Sequence, residues 1–266
     1  MTLPLIDFQK AGAVATCRFC NPPTQTLTNA MVEDTRQHLA EIAVDPEIRV
    51  VVFTGEGAFF IAHYEIADIY DMVQAAPVGE DAVAQLPLHP FHQLLLSVEA
   101  LPQVTIAAIN GSTAGGGLEL ALACDFRLMK RGDFTLSLPE TNLGIIPGGG
   151  GTQRLARMIG ASRAAALILL GQAFTAEEGF GWGLLHRVYD SEEFEGKVAA
   201  FSALLAGRAP IAMCEAKRAI RQGLDEDLAG GLALEQRGLY RTLASRDAQG
   251  ALANWLAGKP VSFKGH

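Results

Sequence analysis

The feature that most limits what this chain can fold into is a corner at residues 104–124. Val104 to Ile109 is a continuous apolar and β-branched run, the composition of a strand buried on both faces. Asn110-Gly111-Ser112-Thr113-Ala114-Gly115-Gly116-Gly117 follows, and Leu118 to Cys124 then reads as a helix of small and apolar residues. A buried strand feeding straight into a buried helix places the chain among α/β folds. Successive glycines cost chain entropy, and they let a ligand approach the backbone. Here that backbone is a helix N-terminus, whose free N–H groups and dipole favour negative charge. Such a corner suits a carbonyl oxygen that develops into an enolate or oxyanion. A tight turn needed only for packing is the plainer alternative.

The common glycine motifs do not account for it. G-x-x-x-x-G-K-S/T is absent, since Gly258-Lys259 is followed by Pro260, and G-x-G-x-x-G fails both here and at the second glycine run, 148–151. The G-x-S-x-G elbow fails because Gly111 directly precedes Ser112. Two carboxylates lie near the corner in sequence. Glu119 sits between Leu118 and Leu120 in an apolar helix, where burial raises a carboxyl pKa. Glu140 follows Pro139 after a short strand. Each could be an ordinary helix-starting glutamate. Together, beside an oxyanion site, they form a general acid–base pair. The second glycine run is expected to allow a close chain crossing beneath Glu140.

Elsewhere, residues 3–8 and 12–19 read as a hairpin through Gly12. A helix is predicted over 28–44, capped by Thr28 or Asn29 and stopped by Asp45-Pro46. Val50 to Thr54 is a second buried strand, followed by a Phe-rich turn at 58–61 and a helix near 65–73. Residues 74–88 lack periodicity and read as a mobile loop, before a helix at 91–99. Short strands are predicted at 126–129, 134–137 and 186–189, and helices at 152–159, 162–170 and 175–181. From 191 onward the chain is helical, at 191–206, 210–222, 226–243 and 247–257. The expected division is a core carrying the site over 1–190 and a helical region over 191–266.

Composition narrows the function. A net charge of −8 disfavours non-specific binding to nucleic acid or anionic lipid. No stretch reaches the ~18 apolar residues of a membrane helix, and residues 1–10 show no signal-peptide pattern. Cys17 and Cys20 form a C-x-x-C, but strand alternation would point them to opposite faces. His89 and His92 lack a third ligand nearby. These readings predict a cytoplasmic protein with no metal, no nucleic-acid partner and no membrane association.

From Ile106 to Gly160 the sequence resembles the crotonase (enoyl-CoA hydratase/isomerase) superfamily. The carriers are Ile-Asn-Gly-Ser-Thr-Ala-Gly-Gly-Gly-Leu-Glu-Leu-Ala and Leu-Gly-Ile-Ile-Pro-Gly-Gly-Gly-Gly-Thr-Gln-Arg-Leu, with weaker likeness at Asn21-Pro22-Pro23 and Val51 to Gly55. The resemblance implies a spiral of repeated ββα units followed by helices that build a trimer, two of which commonly stack as a hexamer. It implies an acyl-CoA thioester substrate and no separate cofactor. It assigns the oxyanion hole to the backbone N–H groups of Ala62 and Gly116, beside Gly115, and water addition to Glu119 and Glu140. Glu140 would protonate the α-carbon and Glu119 would activate the water. Isomerases of the family need only one such carboxylate, and a non-catalytic acyl-CoA or RNA-binding member is a further alternative.

Three other places bear on the substrate. The family usually reads Ala-Gly-Ala-Asp where this chain has Ala62-His63-Tyr64-Glu65. His63 and Tyr64 therefore either turn outward or reshape the acyl pocket. Phe263 and Lys264 match a tail pair that reaches the CoA nucleotide of a neighbouring subunit, supplying an aromatic face and an ammonium. Leu27 either touches the adenine or belongs to the core.

Overall fold

The computed structural model describes residues 5–77 and 79–266. β1 (Ile6–Ala11) and β2 (Val14–Phe19) form an antiparallel hairpin whose turn contains Gly12 at φ 59°. Residues 3 and 4 of the expected first strand lie outside the described residues. α1 (Asn29–Val44) starts where predicted, because the Thr28 hydroxyl accepts from the Met31 N–H at 3.2 Å. It buries Met31, Val32, Thr35, Leu39 and Ile42.

From there the chain repeats one move. β3 (Val50–Thr54) lies in a large sheet, the chain bends at Gly55, and β4 (Phe59–Ile61) lies in a small one. Three helices return it: α2 (Ile66–Ala75), α3 (Glu80–Ala84) and α4 (Pro90–Ala100). β5 (Val104–Ile109) re-enters the large sheet, and β6 (Ser112–Ala114) the small one. α5 (Gly116–Ala123) then starts at the glycine corner. β7 (Phe126–Lys130) and β8 (Thr135–Ser137) repeat the step, followed by a 3-10 turn over Glu140–Leu143, α6 (Gly151–Ile159) and α7 (Ala161–Leu169). β9 (Phe174–Thr175), α8 (Ala176–Gly181) and β10 (Arg187–Tyr189) close the winding.

The large sheet has the order β1-β2-β3-β5-β7-β10 and is parallel from β2 onward; the small sheet has the order β4-β6-β8-β9. This is the spiral of ββα units that the sequence predicts. Gly55 and Gly111 mark equivalent bends, and a Cβ on either would run into backbone of the 58–60 segment. The Asn110 side chain ties the two bends, accepting from the Gly55 N–H at 2.9 Å and donating to the Phe59 carbonyl at 3.0 Å.

The structure corrects three elements. The expected turn at 58–61 contains β4, and the glycine corner contains β6. Both strands have three residues, too few to show a period of two. The expected loop at 74–88 contains α3, and its residue 78 lies outside the described residues. The remaining helices are α9 (Phe194–Ala206), α10 (Pro210–Gly223), α11 (Leu228–Leu243) and α12 (Arg246–Leu256). α9 lies on β2, β3, β5 and β7, where Phe194 and Val198 join a second small core. No single helix among the described residues is long and apolar enough to cross a membrane.

Candidate active site

Two neighbouring turns of the spiral bring two backbone amides side by side. β4 and β6 are parallel, with Ile61 opposite Thr113. The pairing continues past the strands, since the Ala114 N–H donates to the Ala62 carbonyl at 3.0 Å. Three residues beyond Ile61 is Tyr64, and three beyond Thr113 is Gly116. Tyr64 is bridged in parallel to Leu27, with the Leu27 N–H donating to the His63 carbonyl and the Glu65 N–H to the Leu27 carbonyl, both at 2.9 Å. In such a bridge the N–H of Tyr64 itself faces the other side. Among the described residues it donates to no acceptor, nor does the Gly116 N–H at the start of α5. The Tyr64 ring also reaches the corner, for a Cβ on Gly116 would lie 3.0 Å from its Cδ2.

This geometry corrects the Ala62 expectation. The Ala62 N–H is committed to the Gln25 carbonyl at 2.8 Å, so it cannot also face a ligand oxygen. The free amide is two residues later, at Tyr64. Leu27 takes the second of its two expected places, the core, and not the adenine contact. Its side chain is 0% exposed and belongs to the core, so its contribution is the backbone bridge that orients Tyr64. His63 is half-buried, with Nδ1 2.7 Å from the Tyr64 carbonyl. Tyr64 points inward, donating its hydroxyl to Asn29 Oδ1 at 2.6 Å and meeting the Phe91 ring edge-on at 5.2 Å. Burial pushes the pKa of its phenol up, so it stays neutral.

Glu119 lies on the first turn of α5, a helix buried along its whole length. Its Oε1 accepts from the Gly149 and Gly151 N–H groups, each at 2.7 Å. Burial raises its pKa, and the two amides and the Arg154 guanidinium oppose that rise. The glycine run at 148–151 is therefore a cradle for Glu119, where a crossing beneath Glu140 was expected. A Cβ on Gly149 would lie 2.6 Å from Glu119 Oε2, and one on Gly151 3.0 Å from its Oε1. A side chain at either position would therefore crowd the carboxylate that the two N–H groups hold.

Glu140 opens the 3-10 turn after β8. The Gly115 N–H donates to the Ser137 carbonyl at 3.0 Å, which draws this segment onto the corner. Gly115 has φ +51°, and a Cβ there would lie 2.9 Å from Glu140 Oε1. Glu140 Oε2 is buried and makes no hydrogen bond to the described residues. Burial first, and then the Glu119 charge, push its pKa up to about 7. Glu140 is thus a carboxyl group poised to hold a proton near neutral pH, while Glu119 is supplied with donors.

The structure brings Tyr64, Gly115, Gly116, Glu119 and Glu140 together. Within the one chain the tail stays away from this site, and the expected contact of Phe263 and Lys264 is with the site of a neighbouring subunit. The N–H groups of Lys264 and Gly265 donate to the Asp247 carboxylate at 2.7 Å, and the Phe263 carbonyl accepts from Arg49 at 3.1 Å. Neither Asp247 nor Arg49 takes part in the carboxylate site. Sequence reasoning missed Phe91, which touches Tyr64 and the space beside both Gly116 and Gly149. It also missed Arg154, which donates to the Gly149 carbonyl at 2.7 Å. Neither contact has a local signature; both depend on α4 and α6 folding over the corner.

A spiral of ββα turns followed by C-terminal helices is the architecture of the crotonase superfamily. An enoyl-CoA hydratase structure from Bacillus anthracis superposes with a TM-score of 0.88 at 33% identity, covering 99% of this chain and 100% of that one. The sequence matches the enoyl-CoA hydratase/isomerase family over residues 9–266 and belongs to it. The 2,3-dehydroadipyl-CoA hydratase of Escherichia coli K12 is 32% identical over 239 residues, 90% of each chain. The short-chain-enoyl-CoA hydratase of Clostridium acetobutylicum is 30% identical over 266 residues, 98% of each chain.

Proposed function

We propose that this chain is an enoyl-CoA hydratase, adding water across the 2,3 double bond of an acyl-CoA thioester. The observation that carries the reading is the pair of unlike carboxylates, Glu119 with two amide donors and Glu140 with an unpartnered oxygen, flanking one glycine corner. The thioester oxygen is held by the Tyr64 and Gly116 N–H groups. Glu119 takes a proton from water as the water oxygen bonds to the β-carbon. The double-bond electrons move toward the thioester, and the oxygen gathers enolate charge against the two amides. Glu140 then delivers its proton to the α-carbon. The proton left on Glu119 returns to Glu140 through solvent before the next turnover. One donor of such a hole is worth about 3–4 kcal/mol of barrier.

The reading includes assembly through the C-terminal region, as in the family. α11 and α12 expose Leu228, Leu239, Tyr240, Leu252, Trp255 and Leu256, a run of apolar surface that suits a second copy. Sedimentation showing a monomer at micromolar concentration would remove this part. The chemistry is tested with crotonyl-CoA and with longer and aromatic 2-enoyl-CoA thioesters, whose conjugated absorbance is lost on hydration. Hydration of none of them overturns the reading. A Δ3 to Δ2 shift that survives Glu119→Gln, with no hydration by the wild type, would select the isomerase instead.

A further inference from the structure

The cradle around Glu119 is not self-supporting. Gly148 to Gly150 carry no side chains, and Gly150 has φ 92°. What holds the turn lies behind it. The Arg154 guanidinium points three ways, donating through Nη1 to the Gly149 carbonyl at 2.7 Å, through Nε to Glu99 Oε1 at 2.9 Å and through Nη2 to Glu99 Oε2 at 2.8 Å. Gly149 is thereby gripped from both sides, its N–H on Glu119 and its C=O on Arg154.

Glu99, on α4, is itself held from the C-terminal region. Arg221, on α10, donates to Glu99 Oε1 at 3.0 Å, to Asp125 Oδ1 at 2.9 Å and to the Ala123 carbonyl at 2.8 Å. Ala123 is the last residue of α5, the helix that bears Glu119. The other Asp125 oxygen accepts from the Thr105 N–H and hydroxyl, at 2.9 and 3.0 Å, and pairs with Lys217 at 2.9 Å. The hydrogen bonds form a closed circuit, from Glu119 through Gly149, Arg154, Glu99 and Arg221 back to the end of the same helix. The Arg154 and Asp125 side chains are only 14% exposed, and Glu99 and Arg221 about a quarter, so the charges are poorly screened by water.

We propose that Arg154 is a positioning residue for the reaction, with Glu99 and Arg221 as its anchor. It fixes the turn whose two amides hold Glu119 at the substrate, and it ties that turn to a helix of the C-terminal region. This rests on Glu119 being the base that activates water. A fork is required because a lysine ammonium cannot span a carbonyl and both oxygens of a carboxylate in fixed planar geometry.

The charged groups facing Glu119 are Glu140 from the 3-10 turn and Arg154 from α6. α4 presents the uncharged Phe91, with His92 and Glu99 on the far side, by Arg154. Removing the Arg154 cation therefore moves Glu119 toward its protonated form. The experiment compares Arg154→Met, Arg154→Lys, Glu99→Gln and Arg221→Met with the wild type. It measures hydration kinetics across pH, and the carboxylate titration of Glu119 by carbon-detected NMR, assigned through Glu119→Gln.

Arg154→Met is expected to lower kcat by about tenfold or more with KM within about threefold, because a displaced carboxylate misaligns water more than it weakens thioester binding. Its acid limb and the Glu119 titration both move to higher pH. Arg154→Lys returns both toward the wild type while kcat stays low. Glu99→Gln and Arg221→Met lower kcat in the same direction with smaller effects, and they stand in if Arg154→Met does not fold; Glu99→Gln removes an anion and so does not raise the Glu119 titration as Arg154→Met does. A variant series that loses only thermal stability, with kcat, pH profile and Glu119 titration unmoved, overturns the proposal. If the wild type hydrates nothing yet the Glu119 titration moves in Arg154→Met, the hold of Arg154 on Glu119 stands while the hydratase reading, and the catalytic role built on it, fall.

Discussion

Glu119 and Glu140 are the same residue type, close enough around one corner for the charge of Glu119 to raise the Glu140 pKa, yet their surroundings differ in kind. Glu119 is the more deeply buried, at 2% exposure, and it is given two amide donors and a nearby guanidinium. Glu140 is less buried and is given none at Oε2. Burial raises both pKa values, but Glu119 has two amides and a guanidinium that favour its charge, whereas Glu140 has only its own backbone N–H and faces the Glu119 charge. The supply of donors, more than depth, separates the proton taker from the proton giver.

The largest effect should come from removing either member of the pair. Glu119→Gln keeps an oxygen for the Gly149 and Gly151 amides but cannot take a proton, and Glu140→Gln cannot give one up. Each should slow hydration by about 10²-fold or more, the usual worth of a general acid or base. Retained turnover in one of them would reduce the site to a single carboxylate and break the comparison.

A finer cut lies inside the second glycine run. A Cβ on Gly149 would meet Phe91 and lie 2.6 Å from Glu119 Oε2, whereas a Cβ on Gly148 has its nearest neighbour, the Ile146 carbonyl, 4.0 Å away. Gly149→Ala should cost about tenfold in kcat and roughly 1–3 kcal/mol of stability. Gly148→Ala should cost neither. Equal behaviour of the two would show that the run serves the turn alone and has no role in holding Glu119.

The pH profile separates the carboxylates without mutation. In the free enzyme, activity needs Glu119 ionised and Glu140 protonated, so kcat/KM should be bell-shaped, with its basic limb near pH 7 as Glu140 loses its proton. A bound thioester covers the site and dries it further, so the basic limb of kcat should lie above that of kcat/KM. The Glu140→Gln variant should lose that limb from its residual activity.

The sequence carried much of this. Val50 to Thr54 and Val104 to Ile109 declare themselves as buried strands by composition, and Thr28 and Asp45-Pro46 bracket α1. The glycine corner and Glu119 are visible because special backbone and a charge in an apolar helix are rare, while Glu140 stands out through the family resemblance. What stayed hidden depends on hydrogen-bond direction and tertiary approach. Ala62 and Tyr64 both lie just past β4, and nothing in their side chains tells that one amide turns to Gln25 while the other stays free. The bulk of Tyr64 even suggests a misfit, because the space it fills between Asn29, Gly116 and Phe91 is created by three separate segments. Arg154 and Glu99 are 55 residues apart and meet only after α4 and α6 pack.

The smallest expected effect is on stability, and it has the opposite sign to the loss of activity. An unfolded chain releases the Glu140 proton near the ordinary carboxyl pKa of 4.5, while the folded chain holds it until about 7. Between those values the folded state binds more protons, so the contribution of Glu140 to stability is present below about 4.5 and is lost as pH rises through 7. Above that range the wild type carries a partly buried charge without a full set of partners. Glu140→Gln removes the charge at nearly constant volume, so it should melt higher than the wild type at pH 8 and close to it at pH 5. Solvent reaching the partly exposed carboxyl limits the gain to about 1 kcal/mol, or roughly 2–4 °C in Tm for a chain of this size. Glu119→Gln should show a smaller gain, because two amides and a guanidinium offset part of the burial that raises the pKa of Glu119 as well. Thermal melts of both variants at the two pH values would decide it: an equal gain in the two, or none in either, would mean that the two sites do not differ in donor supply.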